Sequence, residues 1–513
     1  MIHHPALKGD GVMKTFSVFK NLFAVMAFVL SACAPVAPPA VVTATNSPTQ
    51  PSPVETAPPA AAKQIQPATA ASASTVSATT QLSYPIVDTG QGKCYNANAE
   101  SVCASSGSFV GQDGQYAGAS PRYKDNGDGT VSDLVTGLMW QKDPGGKVTF
   151  AQATAGAASL KLGGYTDWRV QNIKELFSLI LFDGTDVSSC VGGGACNATP
   201  FVDTTYFVFQ YGSTANGERV IDAQFWSSTK YVGTTMGGDV TIFGVNFADG
   251  RIKGYPLMQP GNRGVGSAQF VRYARGSANY GVNKFLDNGN GVITDQATGL
   301  MWMKADSGKG MNWGDALAYC ENLSANGYDD WRLPNAKELQ SIVDYTRSPS
   351  TSGSAAIDSI FGVSAIKDEG GKTNYPFYWS STTHTSSNGN GDWAVYVAFG
   401  EALGYMWSPN GGAKQLVDVH GAGAQRSDPK SGSVSPAYSQ GHGPQGDVVR
   451  ITHYARCARA GGVTFVSGGS PAASRPAVTL QSSGGAGSGA PQPGGGQQPP
   501  PTRPAGAPPP PRP

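Results

Sequence analysis

Hydrophobic residues recur at helical spacing in two distant stretches of the chain. Within each stretch they fall three and four residues apart, which places them on one face of a helix. The positions are Leu176, Leu179 and Ile180 in the first stretch, and Leu339, Ile342 and Val343 in the second. An Asn and a Glu precede each set with the spacing of a capping box: Asn172 with Glu175, and Asn335 with Glu338. The pattern therefore predicts the same capped helix twice.

Each predicted helix follows a glycine turn and the tripeptide Asp-Trp-Arg, at 167–169 and at 330–332. A repeat this close indicates two similar domains in tandem. The tripeptide has two interpretations. It is either a contact for a glycan or a metal, or a hinge in which Trp packs in the core and Arg pairs with Asp or with backbone carbonyls. An aromatic residue beside a helix cap usually packs in the core, so the hinge is favoured.

Glycine-rich turns open both copies, at 123–133 and at 285–295. Asn-Gly and Asp-Gly between strand-like residues predict a β-hairpin. A calcium loop is the alternative, but the carboxylates lack the alternating spacing of an EF-hand loop. A strand with a buried aromatic follows at 136–140 and at 298–302. Next comes an amphipathic helix, whose apolar positions are Phe150, Ala153, Ala157 and Leu160 in the first copy and Trp313, Ala316, Leu317, Cys320 and Leu323 in the second.

The later part of each copy has the pattern of long loops and strands. The expected strands are 225–229 and 378–382, then 245–250 with 251–255 and 395–400 with 401–405, and finally 271–275 and 451–457. The order hairpin, helix, helix, loops and terminal strands predicts an α+β domain whose two ends meet in one sheet. We place the first domain at 84–276 and the second at 277–462, each long enough to bury its own core.

Residues 1–33 have the pattern of a targeting segment, which is left out of the fold. Their apolar run, 22–30, is too short to span a bilayer. The sequence Leu-Ser-Ala-Cys that ends at Cys33 is similar to the lipobox of bacterial lipoproteins. This resemblance implies cleavage before Cys33, lipidation of its sulfur and attachment to a membrane. Ala34 after the cysteine is similar to the outer-membrane sorting pattern, so we expect an outer-membrane lipoprotein on the surface or periplasmic face.

Two further segments are expected to stay outside the folded domains. Pro, Ala, Thr and Ser dominate residues 34–83, and Gly, Pro, Ser and Gln dominate residues 463–513. Such segments cannot bury enough apolar surface to offset the entropy of the chain, so they are predicted to be a disordered tether and a disordered tail.

The seven cysteines give an odd number of thiols, and assigning Cys33 to a lipid leaves six that can pair. Several connectivities are open to six cysteines, so the pairing is an inference. Disulfides imply an oxidising compartment. The pairs that we predict are Cys94–Cys103, Cys190–Cys196 and Cys320–Cys457.

The repeat supports the long-range pair in particular. Cys320 aligns with Ala157, and Cys457 aligns with Gly276. The first copy therefore lacks both cysteines at once, as expected if they bond to each other.

Charge and motif content argue against several classes of function. The 36 basic residues nearly balance the 35 acidic ones, whereas a nucleic-acid-binding protein needs a concentrated basic face. No Ser-His-Asp, P-loop or Rossmann pattern occurs, and the histidines lack the spacing of metal ligands. We therefore expect no catalysis, no cofactor and no metal. His384 lies in a polar loop, where we expect it to be exposed to solvent.

Aromatic and hydrogen-bonding side chains at strand ends and in one loop are the candidates for ligand binding. Aromatic faces stack on sugar rings, and Arg or Lys can reach acidic substituents. For each of these residues, packing within the sheet is the alternative. The candidates are Arg251, Lys253, Tyr255, His384, Trp393, Tyr405 and Trp407.

Four motifs of the second copy, taken together, resemble a known family. They are Thr-Gly-Leu-Met-Trp at 298–302, Asp-Trp-Arg-Leu-Pro-Asn-x-Lys-Glu-Leu at 330–339, Tyr-Trp-Ser-Ser-Thr at 378–382 and Ala-Arg-Cys at 455–457. They are similar to the C-terminal domain family of the Legionella collagen-like adhesin, over residues 124–275 and 286–459. The resemblance implies a C-type-lectin-like fold. In the named adhesin the domain binds sulfated glycosaminoglycans and assembles as a trimer.

These observations predict a lipid-anchored cell-envelope protein with two tandem C-type-lectin-like domains. It would recognise an extracellular glycan or polyanion as a lectin or an adhesin does. Two alternatives stay open. Formylglycine-generating enzymes share the implied fold, so a modifying enzyme is one, and a structural envelope protein without a ligand is the other. The oligomeric state is not predicted.

Overall fold

The structure is a computed structural model that describes residues 82–190, 195–259, 262–407, 412–470 and 475–481. The predicted targeting segment and the lipidation site Cys33 lie outside these residues. No helix in the described ranges is long and apolar enough to cross a membrane.

Short strands precede the first copy, which we define as residues 123–275. The N-terminal segment before it contains β1 (Cys94–Tyr95), β2 (Glu100–Ser101), a 3-10 helix at Asp113–Gln115, and β3 (Tyr116–Ala117). The first copy contains β4 (Tyr123–Asp125), β5 (Thr130–Asp133), β6 (Met139–Gln141), β7 (Val148–Thr149), α1 (Phe150–Ser159), α2 (Ile173–Ser178), β8 (Ala195–Ala198), a 3-10 helix at Thr214–Asn216, β9 (Gln224–Lys230), β10 (Thr241–Asn246), β11 (Arg251–Pro256), β12 (Met258–Gln259), β13 (Asn262–Gly266), β14 (Ala268–Gln269) and β15 (Ala274–Arg275).

The second copy, defined as residues 285–460, follows the same order. It contains β16 (Phe285–Asp287), β17 (Val292–Asp295), β18 (Leu300–Met303), α3 (Trp313–Glu321), α4 (Ala336–Ser341), α5 (Pro349–Ser352), β19 (Ile366–Lys367), β20 (Thr373–Asn374), β21 (Phe377–His384), β22 (Trp393–Ala398), β23 (Leu403–Trp407), β24 (Lys414–Asp418), β25 (Gln425–Pro429), a 3-10 helix at Pro436–Tyr438, and β26 (Ala458–Ala460). Two strands follow it, β27 (Thr464–Phe465) and β28 (Val478–Gln481).

The predicted α+β class is confirmed, and the ends of each copy meet in one sheet. The opening hairpin pairs with the closing strand in the orders β15-β6-β5-β4 and β16-β17-β18-β26. The closing strands are shorter than predicted and differently placed. They cover only Ala274–Arg275 and Ala458–Ala460, because the residues before each lie outside the ladder.

The Asp-Trp-Arg tripeptides are hinges, the interpretation that the sequence favoured. Trp168 and Trp331 are buried, and each indole N–H donates to a backbone oxygen of the preceding turn. The predicted partner of the Arg side chain was wrong, because it is a Glu and not Asp or a backbone carbonyl. Arg332 donates two hydrogen bonds to Glu338, both 2.6 Å long, and Glu338 is itself the capping-box residue of α4. The first copy repeats this arrangement at α2. One Glu therefore both caps the helix and fixes the hinge.

Each copy has an apolar cluster of its own, and a shared sheet and a larger cluster join the two copies. Strands of both copies join in one six-stranded sheet with the order β21-β22-β25-β11-β10-β9. Ile252 of β11 lies opposite Gln425 of β25 at the junction. The largest apolar cluster also spans both copies; it includes Leu176 and Phe243 of the first and Leu339 and Val397 of the second.

The strand predicted at 401–405 is not in this sheet. It belongs to β23, which turns away and pairs with β24 in a separate hairpin. The position equivalent to β11 is taken by β25 instead. The intervening hairpin has no counterpart in the first copy, so alignment of the repeats misplaced this strand.

Two lysines of the repeated motif cross between the copies. Lys174 precedes Glu175 in α2 and donates to the oxygen of Ser341 at the end of α4, at 2.7 Å. Lys337 of α4 donates in turn to the oxygen of Ser178 at the end of α2, at 2.9 Å. The end of each helix thus accepts a hydrogen bond from a lysine of the other, and the contact between the copies is reciprocal.

All three predicted disulfides are present: Cys94–Cys103, Cys190–Cys196 and Cys320–Cys457. The last joins α3 to the residue before β26, as predicted.

The alignment behind that prediction was wrong in one position. Ala274 lies opposite Trp140, as Ala458 lies opposite Trp302, so Cys457 corresponds to Tyr273 and not to Gly276. The Tyr273 hydroxyl donates to the Ala153 oxygen of α1 at 2.9 Å. A methyl group on Gly156 would collide with that hydroxyl. In the first copy, a tyrosine and a glycine thus fill the space that the disulfide occupies in the second.

The segment 463–513, predicted to be disordered, contains two strands among its described residues. β27 pairs with β3 of the N-terminal segment, and β28 pairs with β8 of the first copy. Arg475, just before β28, also binds the first copy, because its guanidinium pairs with Asp183 and donates to two backbone oxygens.

Candidate functional site

Three of the predicted binding residues lie on β11 at alternate positions. Successive side chains of a strand point to opposite faces, so Arg251, Lys253 and Tyr255 share one face of the sheet. Lys253 and Tyr255 line a cavity of about 280 Å³ between the two copies. We call this cavity the central cleft. It is further lined by Lys147, Glu218, Arg219 and Asp222 of the first copy and by His420 and Gln445 of the second.

Arg251 does not line the cleft and is not available to a ligand. It is buried, and its guanidinium donates to Asp186 at 2.7 Å and to Ser427 at 3.0 Å. Ser427 belongs to β25, so Arg251 joins the two copies. Burial alone would raise the pKa of Asp186, but Arg251, His384 and hydrogen bonds from Ser188 together lower it to about 2.

His384 is buried, with only 3% of its surface exposed, so the expectation of an exposed loop histidine is wrong. The residue ends β21, and its ring stacks on Phe201 of the first copy, with centroids 5.6 Å apart. Its Nε2 lies 2.9 Å from the Asp249 oxygen. Burial lowers its pKa to about 4, so the ring is neutral near pH 7. His384 therefore packs between the copies, which is the alternative to ligand binding.

The remaining three candidates do not line the central cleft. Trp393 packs against the His442 ring, with centroids 5.6 Å apart. Tyr405 and Trp407 lie on the β23–β24 hairpin. Trp407 is half exposed, and the Lys414 ammonium lies 5.9 Å from the centre of its ring. The structure therefore brings Lys253 and Tyr255 together in a cavity and leaves these aromatics elsewhere.

The charges that face the central cleft are paired within the protein. The Lys147 ammonium lies 2.5 Å from Glu218 and 2.7 Å from the backbone oxygen of Asp222. Arg219 binds the Asp222 carboxylate through two nitrogens. Lys253 lies 2.6 Å from Asp249, and burial lowers its pKa to about 8.

On the side of the second copy, His420 forms part of a buried chain of three groups. Its Nε2 lies 2.7 Å from Asp447, which also pairs with Arg426 of β25. Burial alone would raise the pKa of Asp447, but Arg426 and His420 hold it well below its usual range. Burial lowers the pKa of His420 itself to about 4. A neutral imidazole beside an ionised carboxylate donates through Nε2, which leaves Nδ1 as an acceptor.

Two polar atoms of residues that line the central cleft lack a hydrogen-bond partner within the described part of the chain. They are the Tyr255 hydroxyl and His420 Nδ1, and both are buried. An unpaired buried polar atom costs about 1–3 kcal/mol. Met236, which also lines the cleft, has a left-handed backbone with φ of 50°, a strained conformation for a bulky residue that concentrates at functional sites.

Most of the cleft residues were not predicted. Lys147, Glu218, Arg219 and Asp222 come from loops with no marked pattern, and Gln445 follows the unexpected hairpin. His420 was dismissed because the histidines are scattered in sequence. The one available signal was the charged run Glu218-Arg219 inside an otherwise apolar and glycine-rich loop.

In the ranges that the structure describes, no group of three or more His, Cys, Asp or Glu side chains is placed to hold a metal ion. The glycine-rich turns are hairpins. Asp125 accepts the Gly127 N–H and pairs with Lys142 at 2.5 Å.

The fold and the repeated motifs define the class of the protein. The model of the Lcl C-terminal domain matches residues 129–266 and 291–416, which together make up more than half of the chain. The protein therefore belongs to the Lcl C-terminal domain family and carries the domain twice. Membership points to an adhesin-like or lectin-like protein. Neither the curated proteins nor the solved structures that were compared with the chain gave a match.

Proposed function

We propose that the protein is a lipid-anchored cell-envelope lectin or adhesin that binds an extracellular glycan in the central cleft. The observation that carries the proposal is the cleft at the junction of the two copies. It combines the Tyr255 ring with the polar side chains of Lys147, Glu218 and Arg219, as saccharide sites do, and both copies must be present to form it.

A binding role agrees with the state of the cysteines. A modifying enzyme of the formylglycine-generating type needs reactive thiols, but the six cysteines of the described residues form disulfides. The disulfides also agree with an oxidising compartment outside the cytoplasm. The anchor rests on the lipobox at Cys33, which is a sequence observation.

The binding proposal is tested with the full chain on an array of immobilised glycans. Lys253→Met removes the ammonium group of one residue that lines the cleft, while Asp249 keeps Arg251 as a neighbouring cation at 3.7 Å. Lys93→Met is the matched control, because Lys93 forms an exposed pair with Glu100 outside the cleft. We expect binding by the wild type and by Lys93→Met, and loss of binding with Lys253→Met. Absence of binding to any glycan would contradict the proposal.

The anchor is tested separately by labelling cells with radioactive palmitate. We expect the label in the wild-type protein and its loss in Cys33→Ser, with the protein moving from the membrane fraction to the soluble fraction. Unlabelled wild-type protein would refute the anchor without affecting the cleft.

A further inference from the structure

We infer that Lys174 and Asn283 join their side chains in an isopeptide bond, an amide link that forms within the folded chain. The bond ties α2 of the first copy to the residues that lead into the second copy. It lies outside the central cleft, so the inference does not depend on the proposed function. Three kinds of contact carry it: the amine against the amide, a carboxylate on the leaving nitrogen, and backbone oxygens that hold the amine.

The amino group of Lys174 contacts the amide that it attacks. Its Nζ lies 2.9 Å from Oδ1 of Asn283, and the amide carbon is one bond beyond that oxygen. The backbone oxygens of Gly281 and Ser341 lie 3.0 and 2.7 Å from the same nitrogen and hold it in place. Groups react readily when they are held about 3–3.5 Å apart. These contacts keep the nitrogen close to that range.

A carboxylate contacts the nitrogen that leaves. Asn283 Nδ2 donates to Oδ2 of Asp295 at 2.8 Å. Asp295 is fully buried, and its Oδ1 accepts the backbone N–H groups of Lys284 and Ala297. A carboxylate only accepts and an ammonium only donates, so the amide must turn Nδ2 toward Asp295 and Oδ1 toward Lys174. Asp295 thereby orients the amide and is placed to pass a proton to the leaving nitrogen.

Loss of one proton turns Lys174 into a nucleophile on the correct side. The ammonium has three donors for its three acceptors, whereas the neutral amine has two donors and a lone pair. Gly281 and Ser341 accept through backbone oxygens that are fixed in place, but the amide of Asn283 is on a side chain. The two remaining N–H groups therefore stay with the backbone, and the lone pair faces Asn283.

The surroundings of Lys174 favour this neutral form. Burial lowers the pKa of Lys174 to about 8, and Asp295 and Asp344 raise it without outweighing burial. Asp358 lines the same cavity as Lys174, and Lys337 lines a smaller cavity beside it. About one amine in ten is neutral near pH 7 with this pKa. The bond therefore forms slowly near pH 7, and freshly prepared protein keeps the free amine.

The reaction balances without a cofactor or an oxidant. The lone pair of Lys174 forms a bond from Nζ to Cγ of Asn283, and the bond from Cγ to Nδ2 breaks. One proton moves from Nζ to Nδ2, which leaves as ammonia. Nothing is oxidised or reduced, and the chain becomes lighter by about 17 Da, the mass of one ammonia.

The equivalent lysine of the second copy serves as an internal comparison. Lys337 donates to the backbone oxygens of Asp88 and Ser178. Burial lowers its pKa to about 7, so it is neutral more often than Lys174. Its two acceptors in the described residues are peptide groups of the main chain, which offer no side-chain amide. Burial and a low pKa alone therefore do not make a lysine a partner for this bond.

The experiment follows the intact mass of the full chain during incubation over days, at about pH 6 and at about pH 9, relative to the starting sample. Tryptic digestion and fragment sequencing then locate any cross-link. Lys174→Met removes the amine and Asn283→Ala removes the amide. Lys337→Met is the matched control, because it removes the other crossing lysine and leaves the proposed pair intact. Melting curves check that each variant is folded.

We expect the wild type and Lys337→Met to lose about 17 Da and to give a branched peptide that contains Lys174 and Asn283. The loss should be up to about 100-fold faster at about pH 9 than at about pH 6, since the neutral fraction of an amine with a pKa of about 8 rises by that factor. Lys174→Met and Asn283→Ala should keep their starting mass.

Two results would overturn the inference. The first is an unchanged wild-type mass after the whole incubation at the higher pH. The second is a loss of ammonia that persists in Lys174→Met, because a succinimide at Asn283 forms with its own backbone and needs no lysine. The wild-type mass and the branched peptide are decisive even where a variant fails to fold.

Discussion

The Arg–Glu pair of the repeated hinge occurs in two different environments. In the first copy, Arg169 leaves 29% of its side chain exposed beside the buried Glu175. In the second copy, Arg332 and Glu338 are 4% and 1% exposed. The difference comes from the N-terminal segment, because its Tyr116 ring lies 5.2 Å from the Arg332 guanidinium. The same local sequence thus forms the same helix start, while a distant segment decides how much the ion pair contributes.

The largest effect is expected from replacing Arg332, the arginine of the buried pair. Arg332→Met leaves a buried carboxylate without its partner, which costs about 3–5 kcal/mol. Arg169→Met is the matched change in the first copy, where water can still reach the site, and we expect about 1–2 kcal/mol. Urea unfolding of the full chain measures both free energies. Equal losses would contradict the view that the N-terminal segment makes the difference.

The second prediction concerns the Cys320–Cys457 disulfide, which has no counterpart in the first copy. Replacing Cys320 and Cys457 together by alanine should lower the free energy of unfolding by about 2–4 kcal/mol. In the first copy, Ala157→Cys combined with Tyr273→Cys should form a new disulfide, because these residues hold the equivalent positions.

Thiol counting by mass spectrometry after alkylation of the denatured chain tests this equivalence. Two free thiols in the Ala157→Cys/Tyr273→Cys variant would show that the two closing strands are not superposable.

The third prediction, with the smallest expected effect, compares Lys174 and Lys337, which each donate to the other copy. Lys174 has three acceptors, Gly281, Asn283 and Ser341, whereas Lys337 has two, Asp88 and Ser178. An ammonium group has three donors and a neutral amine has two. Burial lowers the pKa of Lys174 to about 8 and that of Lys337 to about 7, so Lys337 should lose its proton first.

The low pKa values of the two lysines make the folded protein more stable as the pH rises. Between the folded-state pKa and the ordinary value of 10.5, only the unfolded chain binds the proton, so stability rises with pH. Each lysine contributes up to about 1.4 kcal/mol per pH unit. Urea unfolding from about pH 7.5 to about pH 9.5 should show a slope that Lys337→Met reduces across the whole range. Lys174→Met should reduce it only above about pH 8. Identical profiles for the two variants would contradict the assignment.

Local structure was predictable wherever neighbouring residues determine it. The capping boxes, the hairpin turns, the buried Trp168 and Trp331, and the disulfides all follow from spacing or from the repeat. The failures lie where distant segments meet. His384 has a polar sequence context but packs on Phe201 from the other copy. The strand at 401–405 moved because an inserted hairpin took its place.

The central cleft illustrates the same limit. Lys253 and Tyr255 were predicted from their alternation on one strand. Lys147 and Arg219 join them from distant loops of the same copy, and His420 joins them through the contact between the copies, which no local pattern encodes. Charge pairing depends on tertiary distances, so the ion pairs of the residues that line the cleft could not be inferred from composition.

The pairing of β11 with β25 has a consequence for the history of the gene. Once the duplicated halves shared a sheet, deletion of either would have left the survivor with an open strand edge, which invites aggregation with other chains. From that point the two halves had to be inherited together, while each could change in sequence, so that one half now has a disulfide where the other has Tyr273.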